Sequence, residues 1–453
     1  MTETDLADKS LDFWLDRAVP RYTSYPPAPA FHEAVGATAY AASLAKIAPG
    51  DPVSLYLHIP FCRELCLYCG CNTAITHRND RIGDYVKALQ KEIVQTLALI
   101  PHRPKIAAVH WGGGTPNILS DKAMREIFSI LGEMCDLGTI REIAMEMDPR
   151  RTNQQQIELL AACGVNRVSL GVQDFNPDVQ KLVHRIQPAE LVEKTVATLR
   201  TAGIAHVNFD LIYGLPLQTP DSVAETARQV CTLRPSRVAL FSYAHVPQIK
   251  KHQAVLEEAG LPGKYARLAM DDAARVVLRA AGYREIGMDH FALPGDALEQ
   301  ATASRNLHRN FQGYTTDASP VLLGFGASSI GSTADGFFQN ERLLPAYQKT
   351  VGEGRSPVVR GVLTTPEDRV RGAIIEELMC YLDCDVAAVC ERMNFSIDRF
   401  EKAFALLHEM ERHQLIELNG AKIRLLSPHR MSVRVVCNAF DAYAPASVAS
   451  RAA

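Results

Sequence analysis

The sequence predicts an α/β protein, a parallel sheet wound with helices, joined to a smaller, mostly helical, winged-helix-like C-terminal domain. Three observations predict it. Between residues 53 and 244 six short apolar runs alternate with amphipathic stretches, as repeated βα units around a parallel sheet require. Polar residues and glycines collect at the ends of those runs, where barrels and open sheets both carry their ligand sites. Beyond residue 365 the pattern changes to helical stretches around a single Asn-Gly hairpin signal.

In chain order, residues 1–50 form a Pro- and Tyr-rich lead-in, RYTSYPPAPAF at its centre, without periodicity, expected to wrap the main domain or cover its site. The main domain is expected over 51–355, with its core at 53–244. Its strands are VSLYLHI (53–59), AAVHWG (107–112), EIAMEM (142–147), RVSLGVQ (167–173), VNFDLIYG (207–214) and RVALFSYA (237–244). The stretches 84–99, 155–164 and 190–203 read as crossover helices, the second ending on a glycine. This alternation suits either an open doubly wound sheet or a complete or partial barrel. In both, the carboxyl ends of the strands form the ligand face, and His58, Gly112–Thr115, Glu146, Gln173, Asp210 and Tyr243 all fall there. The C-terminal domain, 365–453, has helical patterns at 365–382, 397–412 and 429–442 around the turn Asn419-Gly420. Helix 397–412 mixes acids with Arg399, Lys402 and Arg412, which argues against a nucleic-acid face and for a structural cap or lid.

Composition narrows the class. Of 453 residues, 47% are hydrophobic and 22% charged, close to globular averages. A net charge of −3 gives no general attraction to nucleic acid or anionic membranes. The acidic start MTETDLADKS is unlike a secretory signal, and no stretch reaches the ~18 apolar residues of a membrane span. A cytoplasmic protein is expected. Eleven cysteines, an odd number in a chain without such a signal, argue for free thiols and metal ligation over disulfides. Seven (Cys135, Cys163, Cys231, Cys380, Cys384, Cys390 and Cys437) are scattered, mostly in apolar helical patterns, and read as buried inert thiols.

The other four follow the first strand in PFCRELCLYCGCN, spaced C-x3-C-x2-C-x-C. Structural zinc usually wants two cysteine pairs a dozen or more residues apart, and the second pair is missing. Thiolates crowded into one loop suit an iron–sulfur cluster better, although zinc and unligated thiols remain open. If Cys71 does not bind, one iron of a four-iron cluster is left for a substrate. The Gly112–Gly114 turn lets backbone approach a ligand or is a plain strand-to-helix turn; no Lys-Ser/Thr follows to make a phosphate loop. Glu146 reads equally as a core-edge acid paired with an Arg. Gln173, Arg185 and Asp210 read equally as ordinary strand-end polar residues.

The C-x3-C-x2-C spacing, with aromatic Tyr68 before the third cysteine, resembles the radical S-adenosylmethionine superfamily. Within it, RYTSYP (21–26), LYLHIPFC (55–62), HWGGGTP (110–116), RVSLGVQDFN (167–176), NFDLIYGLP (208–216), GMDHFA (287–292) and HRNFQGYTT (308–316) are similar to the oxygen-independent coproporphyrinogen III oxidase family over nearly the whole chain. Related heme chaperones and methyltransferases share the cluster and glycines but typically lack the fourth cysteine, the RYTSYP lead and the last two segments. A heme chaperone, a methyltransferase or an electron-transfer protein are the rival readings.

The resemblance implies a partial (β/α)6 TIM-like barrel. It implies one [4Fe–4S] cluster on Cys62, Cys66 and Cys69, with S-adenosylmethionine chelating the fourth iron. Gly113, Gly114 and Thr115 then take the methionine end and Glu146 binds the same cofactor. Gln173, Arg185 and Asp210 serve a second S-adenosylmethionine, and Tyr56, Tyr68, Ala244 and Ile330 contact the two. The implied reaction converts the ring A and B propionates of coproporphyrinogen III to vinyl groups, giving protoporphyrinogen IX in heme synthesis. It consumes two S-adenosylmethionines per product and a low-potential donor such as flavodoxin or ferredoxin. A monomer is expected. Cys71 is expected near the substrate and off the cluster. Arg21, His308 and Arg309 are candidates for substrate carboxylates, which an Arg fork fits bidentately.

Overall fold

The computed structural model describes residues 12–443 and 450–451. The chain forms two compact units, each assembled from separate stretches. One comprises Phe31–Pro262 and Asp317–Leu363; the other comprises the described residues up to Ala30, Gly263–Thr316 and the described residues from Thr364 on.

The first unit is built on a sheet. Its first six strands are β1 (Pro52–Ile59), β2 (Lys105–Gly113), β3 (Glu142–Met147), β4 (Arg167–Gln173), β5 (His206–Tyr213) and β6 (Arg237–Ser242). Each pairs in parallel with its successor in sequence. That order decides between the two architectures. A doubly wound sheet reverses its strand order at a switch point, whereas sequential order with right-handed crossovers places the helices on one face and curls the sheet toward a barrel. The near-continuous apolar runs follow, because both faces are covered: Val53, Ser54, Leu55, Leu57 and His58 are all buried in β1.

The longer helices between these strands are α1 (Asn79–Leu97), α2 (Asp121–Met134), α3 (Gln154–Ala162), α4 (Ala189–Thr201) and α5 (Pro220–Leu233). α1 buries Ile82, Val86, Leu89, Ile93 and Leu97, a stripe at helical spacing. It starts five residues ahead of its predicted run because its first turn is polar, with Asp80 on the positive end of the helix dipole. α2 is capped by Ser120, α3 by Asn153, and α5 by a Thr219–Ser222 capping box.

The sheet continues on the other side of β1, which sequence periodicity does not reveal. β7 (Val321–Phe325) pairs in parallel with β1, and β8 (Ile330–Thr333), β9 (Gly336–Asn340) and β10 (Val358–Leu363) follow as an antiparallel meander. These runs are short and glycine-dense, without the clear alternation that marks a strand in sequence. The glycines are needed for contact: a Cβ on Gly324 would lie 2.7 Å from the Ile330 carbonyl oxygen. Glu92 of α1 fastens this extension. Its buried carboxylate accepts from Gly326 N at 2.7 Å, Asn340 Nδ2 at 2.5 Å and the Tyr347 hydroxyl at 2.6 Å. Burial nonetheless pushes it up to about 7.

In the second unit, helix Pro366–Tyr381 starts at a Thr365–Asp368 capping box and buries Val370, Ile374, Ile375 and Leu378. The predicted hairpin forms as Ile416–Asn419 and Lys422–Leu425 around Gly420, whose φ is +61°. A third strand, Asp383–Asp385, joins its other edge. Two of the predicted helices open as 3-10 turns: Ile397–Phe400 leads into Glu401–Arg412, and Arg430–Ser432 into Val433–Asn438. The aromatic lead-in packs into this unit. Trp14 Nε1 donates to His413 Nδ1 at 2.8 Å, the Tyr22 hydroxyl to Asp441 at 3.0 Å, and the Tyr25 hydroxyl accepts from Ala442 N at 2.9 Å. Among the described residues no helix is long and apolar enough to cross a membrane.

Candidate active site

The cysteine loop leaves the carboxyl end of β1 and closes on itself, because Phe61–Cys62 pairs in parallel with Ala74–Ile75. Its middle is pinned by Leu67, which packs with Val179, Val183, Leu215, Tyr243 and Leu256 and bonds through its N–H to the Val183 carbonyl at 3.0 Å. Cys62, Cys66, Cys69 and Cys71 thereby line one cavity of about 280 Å³, open at its rim. Among the described residues no group of three His, Cys, Asp or Glu side chains gathers on a point as a single metal ion requires. All four thiols face one cavity, as a multi-iron cluster with one thiolate per iron requires of its ligands.

Two donors already address the sulfurs. Thr115 Oγ1 donates to Cys62 Sγ at 3.4 Å, and Arg185 Nη1 to Cys66 Sγ at 3.6 Å. Burial pushes the Cys62 thiol up to about 11. Cys71 hydrogen-bonds Cys69, which holds Cys69 below the usual thiol range and Cys71 above it. Hydrogen bonds aimed at thiolate sulfurs are the outer support an anionic cluster requires, so the donor set fits a [4Fe–4S] group.

The glycine turn packs against the loop's base. Gly113 has φ +116°, open only to glycine, and a Cβ there would meet the His58 ring at 2.7 Å. A Cβ on Gly114 would lie 2.7 Å from the Phe61 carbonyl oxygen. Glu146, at the end of β3, accepts from Gly113 N at 3.1 Å and meets His110 Nε2 at 3.3 Å. The expected Arg partner for a core-edge acid is replaced by a backbone N–H and an imidazole. His110 stacks on Tyr56, ring centroids 5.9 Å apart at 23°. The Tyr56 hydroxyl lies 3.0 Å from His58 Nδ1, and His58 Nε2 lies 3.2 Å from the Asn72 carbonyl. A carbonyl only accepts, so Nε2 carries the proton and Tyr56 donates to Nδ1. Burial lowers the His58 pKa, consistent with that neutral ring.

Gln173, Arg185 and Asp210 line the same cavity. Gln173 takes φ +67° at a register shift in β4, a left-handed conformation uncommon for a non-glycine and typical of functional strand ends. Asp210 pairs across the sheet with Gly171. Burial and the facing Glu146 carboxylate push Asp210 up to about 7, against the pull of His110 and Arg185. Asp148 and Arg150 also line this cavity and were not singled out from sequence, where DPRR resembles a turn. Asp148 takes Arg150 bidentately, with Arg185 Nη1 at 3.6 Å. Burial raises its carboxyl, but the two guanidiniums outweigh that and hold it below the carboxylate range.

Cavity walls thus bring together the cysteines, Tyr68, Gly113, Gly114, Thr115, Glu146, Gln173, Arg185 and Asp210, but do not include Tyr56, Ala244 or Ile330. Tyr56 stands behind Glu146 against His110, Ala244 follows β6, and Ile330 opens β8. Arg21, His308 and Arg309 lie in the other unit. There Asp289, buried and therefore raised, is held below the carboxylate range by His290, Arg309 and Arg21. Arg309 sits 4.5 Å above the Tyr314 ring, donates from Nε to the Tyr22 carbonyl, and keeps a buried Nη1 with no hydrogen-bond partner among the described residues. His308 Nδ1 lies 3.3 Å from Glu376.

A parallel sheet in sequential order, with a three-cysteine loop on its first strand and a glycine turn on its second, defines the radical S-adenosylmethionine class; the sequence model of the Radical SAM superfamily matches residues 56–230. Relatives resolve the class further. An oxygen-independent coproporphyrinogen III oxidase of Bradyrhizobium diazoefficiens is 42% identical over 96% of this chain and 97% of its own length. That of Escherichia coli K12 is 38% identical over 94% and 93%. The solved structure of Escherichia coli coproporphyrinogen III oxidase (HemN), a radical SAM enzyme, superposes with a TM-score of 0.88 at 37% identity, covering 93% of this chain and 97% of that one. The chain belongs to the oxygen-independent coproporphyrinogen III oxidase family. Membership implies a [4Fe–4S] cluster and S-adenosylmethionine.

Proposed function

We propose that this protein carries out the oxygen-independent oxidative decarboxylation of the ring A and B propionates of coproporphyrinogen III, yielding protoporphyrinogen IX. The observation that carries the reading is the meeting of Cys62, Cys66 and Cys69 with Gly113 and Glu146 in one cavity. When bound, a reduced cluster and S-adenosylmethionine supply a 5′-deoxyadenosyl radical able to take a hydrogen atom from the propionate β-carbon. Loss of carbon dioxide and one electron then leaves the vinyl group, so an electron acceptor is required, and two S-adenosylmethionines are used per product.

The chain's own residues bind, orient and exclude. Cys62, Cys66 and Cys69 hold the cluster, with Thr115 and Arg185 bonding two of their sulfurs. Gly113 and Gly114 keep the turn bare so that the methionine end approaches backbone, and Glu146 takes its amino group. Gln173, Arg185 and Asp210 form the wall for a second S-adenosylmethionine, with Tyr68 on the same cavity and Tyr56 supporting Glu146 through His110. Arg309 offers a substrate carboxylate its Nη1, which has no hydrogen-bond partner among the described residues, with Arg21 and His308 in the same role. Cys71 stays off the cluster and serves the substrate. The low-potential electron comes from a flavodoxin or ferredoxin.

The test is anaerobic incubation of the reconstituted protein with coproporphyrinogen III, S-adenosylmethionine and a low-potential reductant. Divinyl product, 5′-deoxyadenosine and methionine are expected. Absence of product with an intact, reducible cluster overturns the reading.

A further inference from the structure

The segment after β6 reaches back to the cysteine loop with three consecutive grips. Gln253 Nε2 donates to the Tyr68 carbonyl at 2.9 Å, His252 Nε2 meets the Cys69 carbonyl at 2.8 Å, and Lys250 Nζ donates to the Cys71 carbonyl at 2.6 Å. Since a carbonyl only accepts, His252 carries its proton on Nε2. Gln253 is fully buried and its other end accepts from Val246 N at 2.7 Å, so the grip is anchored within the segment itself. Beneath the loop, Leu67 and Tyr68 pack with Tyr243, Leu256 and Leu261, from the same stretch of chain. Polar bonds from one side and apolar packing from the other leave the Tyr68–Cys71 backbone little freedom.

The three donors are not equivalent. Gln253 and His252 account for position; Lys250 adds a full charge. It is partly solvent-exposed and has an alternative in water, yet it bonds to the carbonyl of the cysteine not needed as a ligand. Its ammonium is thereby held two residues from the ligand Cys69. A cluster with thiolate ligands becomes more negative when it takes up an electron, and a fixed cation nearby favours that form.

We propose that the 246–253 segment is a clamp on the cluster loop and that Lys250 is a positioning residue that raises the cluster's reduction potential. The step concerned is a one-electron reduction, [4Fe–4S]2+ to [4Fe–4S]1+, the electron arriving from an external one-electron donor. This inference rests on the cluster reading above and adds to it a residue outside the ligand set and the cavity wall.

The experiment is an EPR-monitored redox titration of the reconstituted full-length protein, with iron and sulfide content measured in parallel. Lys250→Gln keeps the parent's iron content while its reduced-to-oxidised ratio at a fixed solution potential falls three- to tenfold, a tenfold fall corresponding to about 59 mV for one electron. Lys250→Arg, which keeps the charge, stays within twofold of the parent. A parent-like ratio in Lys250→Gln, equal falls in the Gln and Arg variants, or loss of iron in place of a shifted ratio each overturns the proposal. A parent protein that yields no reduced-cluster signal overturns the cluster reading and this inference together, whereas a normal parent with unshifted variants overturns this inference alone.

Discussion

Arg185 grips the Gly171 carbonyl with Nε at 3.1 Å and Nη2 at 2.6 Å while its Nη1 reaches the sulfur of Cys66 at 3.6 Å. One guanidinium thus joins the bulged end of β4 to the cysteine loop, with Asp148 balancing its charge. Lysine is a point donor and cannot serve a carbonyl and a sulfur in fixed fork geometry. Arg185→Lys is expected to lower cluster retention or turnover about 10- to 100-fold, the usual effect of losing an outer-shell partner. Iron content after anaerobic reconstitution and single-turnover 5′-deoxyadenosine yield measure it; parent values for both would show that Arg185 does not support the loop.

Glu146 is poised to receive a cation: its carboxylate is fixed by Gly113 N and His110, yet it lines the open cavity. Glu146→Gln keeps the shape and removes the charge. Affinity for S-adenosylmethionine should fall about 10- to 100-fold, as expected for a lost charge-assisted hydrogen bond. Calorimetric titration reads it directly; unchanged affinity would place the methionine amino group elsewhere.

Gly113→Ala must accommodate both a left-handed backbone and a Cβ at 2.7 Å from a ring held by Tyr56 and Asn72. The cost is on the order of 2 kcal/mol from backbone strain alone. The urea midpoint of the metal-free protein should drop accordingly, and S-adenosylmethionine binding should be lost because the turn is displaced.

Glu92 makes stability fall as pH rises. Its carboxyl binds a proton more tightly in the fold, where it titrates near 7, than when unfolded, near 4.5. Its contribution is therefore fully present below about 4.5 and lost as pH passes 7, a change on the order of 3 kcal/mol. The groups facing it are the hydroxyls of Tyr347, Tyr85 and Tyr40, all pushed upward by burial and neutral throughout this range. Urea midpoints from pH 5 to 8 should decline more steeply in the parent than in Glu92→Gln; parallel slopes would remove Glu92 as the cause.

Arg309 has one buried donor without a hydrogen-bond partner among the described residues. Arg309→Met should raise the KM for coproporphyrinogen III about tenfold or more, with kcat changed less, because the lost contact serves binding. Equal losses with substrates bearing and lacking propionates would point to a structural role.

The six parallel strands were legible because each is an apolar run ending in a polar residue, and a strand's direction fixes which end is the mouth. That rule puts Glu146, Gln173 and Asp210 at the mouth, but an ordinary strand-end role stayed equally open until the structure brought them to one cavity. Strands β7–β10 were not legible, since close approach of Gly324 to Ile330 demands the residues that also mark loops. Asp148 and Arg150 were missed because DPRR has the look of a turn, and its function depends on Arg185, which is brought up from beyond β4. The clamp from Lys250, His252 and Gln253 spans about 180 residues of sequence, and a polar loop reading KKHQ carries no sign of its partner. Local pattern reports periodicity and direction; it is silent on which distant loop a side chain will meet.

Trp14 and His413 are separated by 399 positions, and the second unit is stitched from the chain's beginning, middle and end. At synthesis rates of roughly 5–20 residues per second, Trp14 waits on the order of 20–80 seconds for its partner to be made. During that time Trp14, Tyr22 and Tyr25 leave the ribosome as exposed aromatics with no core to enter. The larger unit meets a milder form of the same delay, since β1 is complete long before β7 arrives to cover its edge. The aromatic segment around Trp14, Tyr22 and Tyr25 is therefore open to chaperones and proteases while the chain is being born.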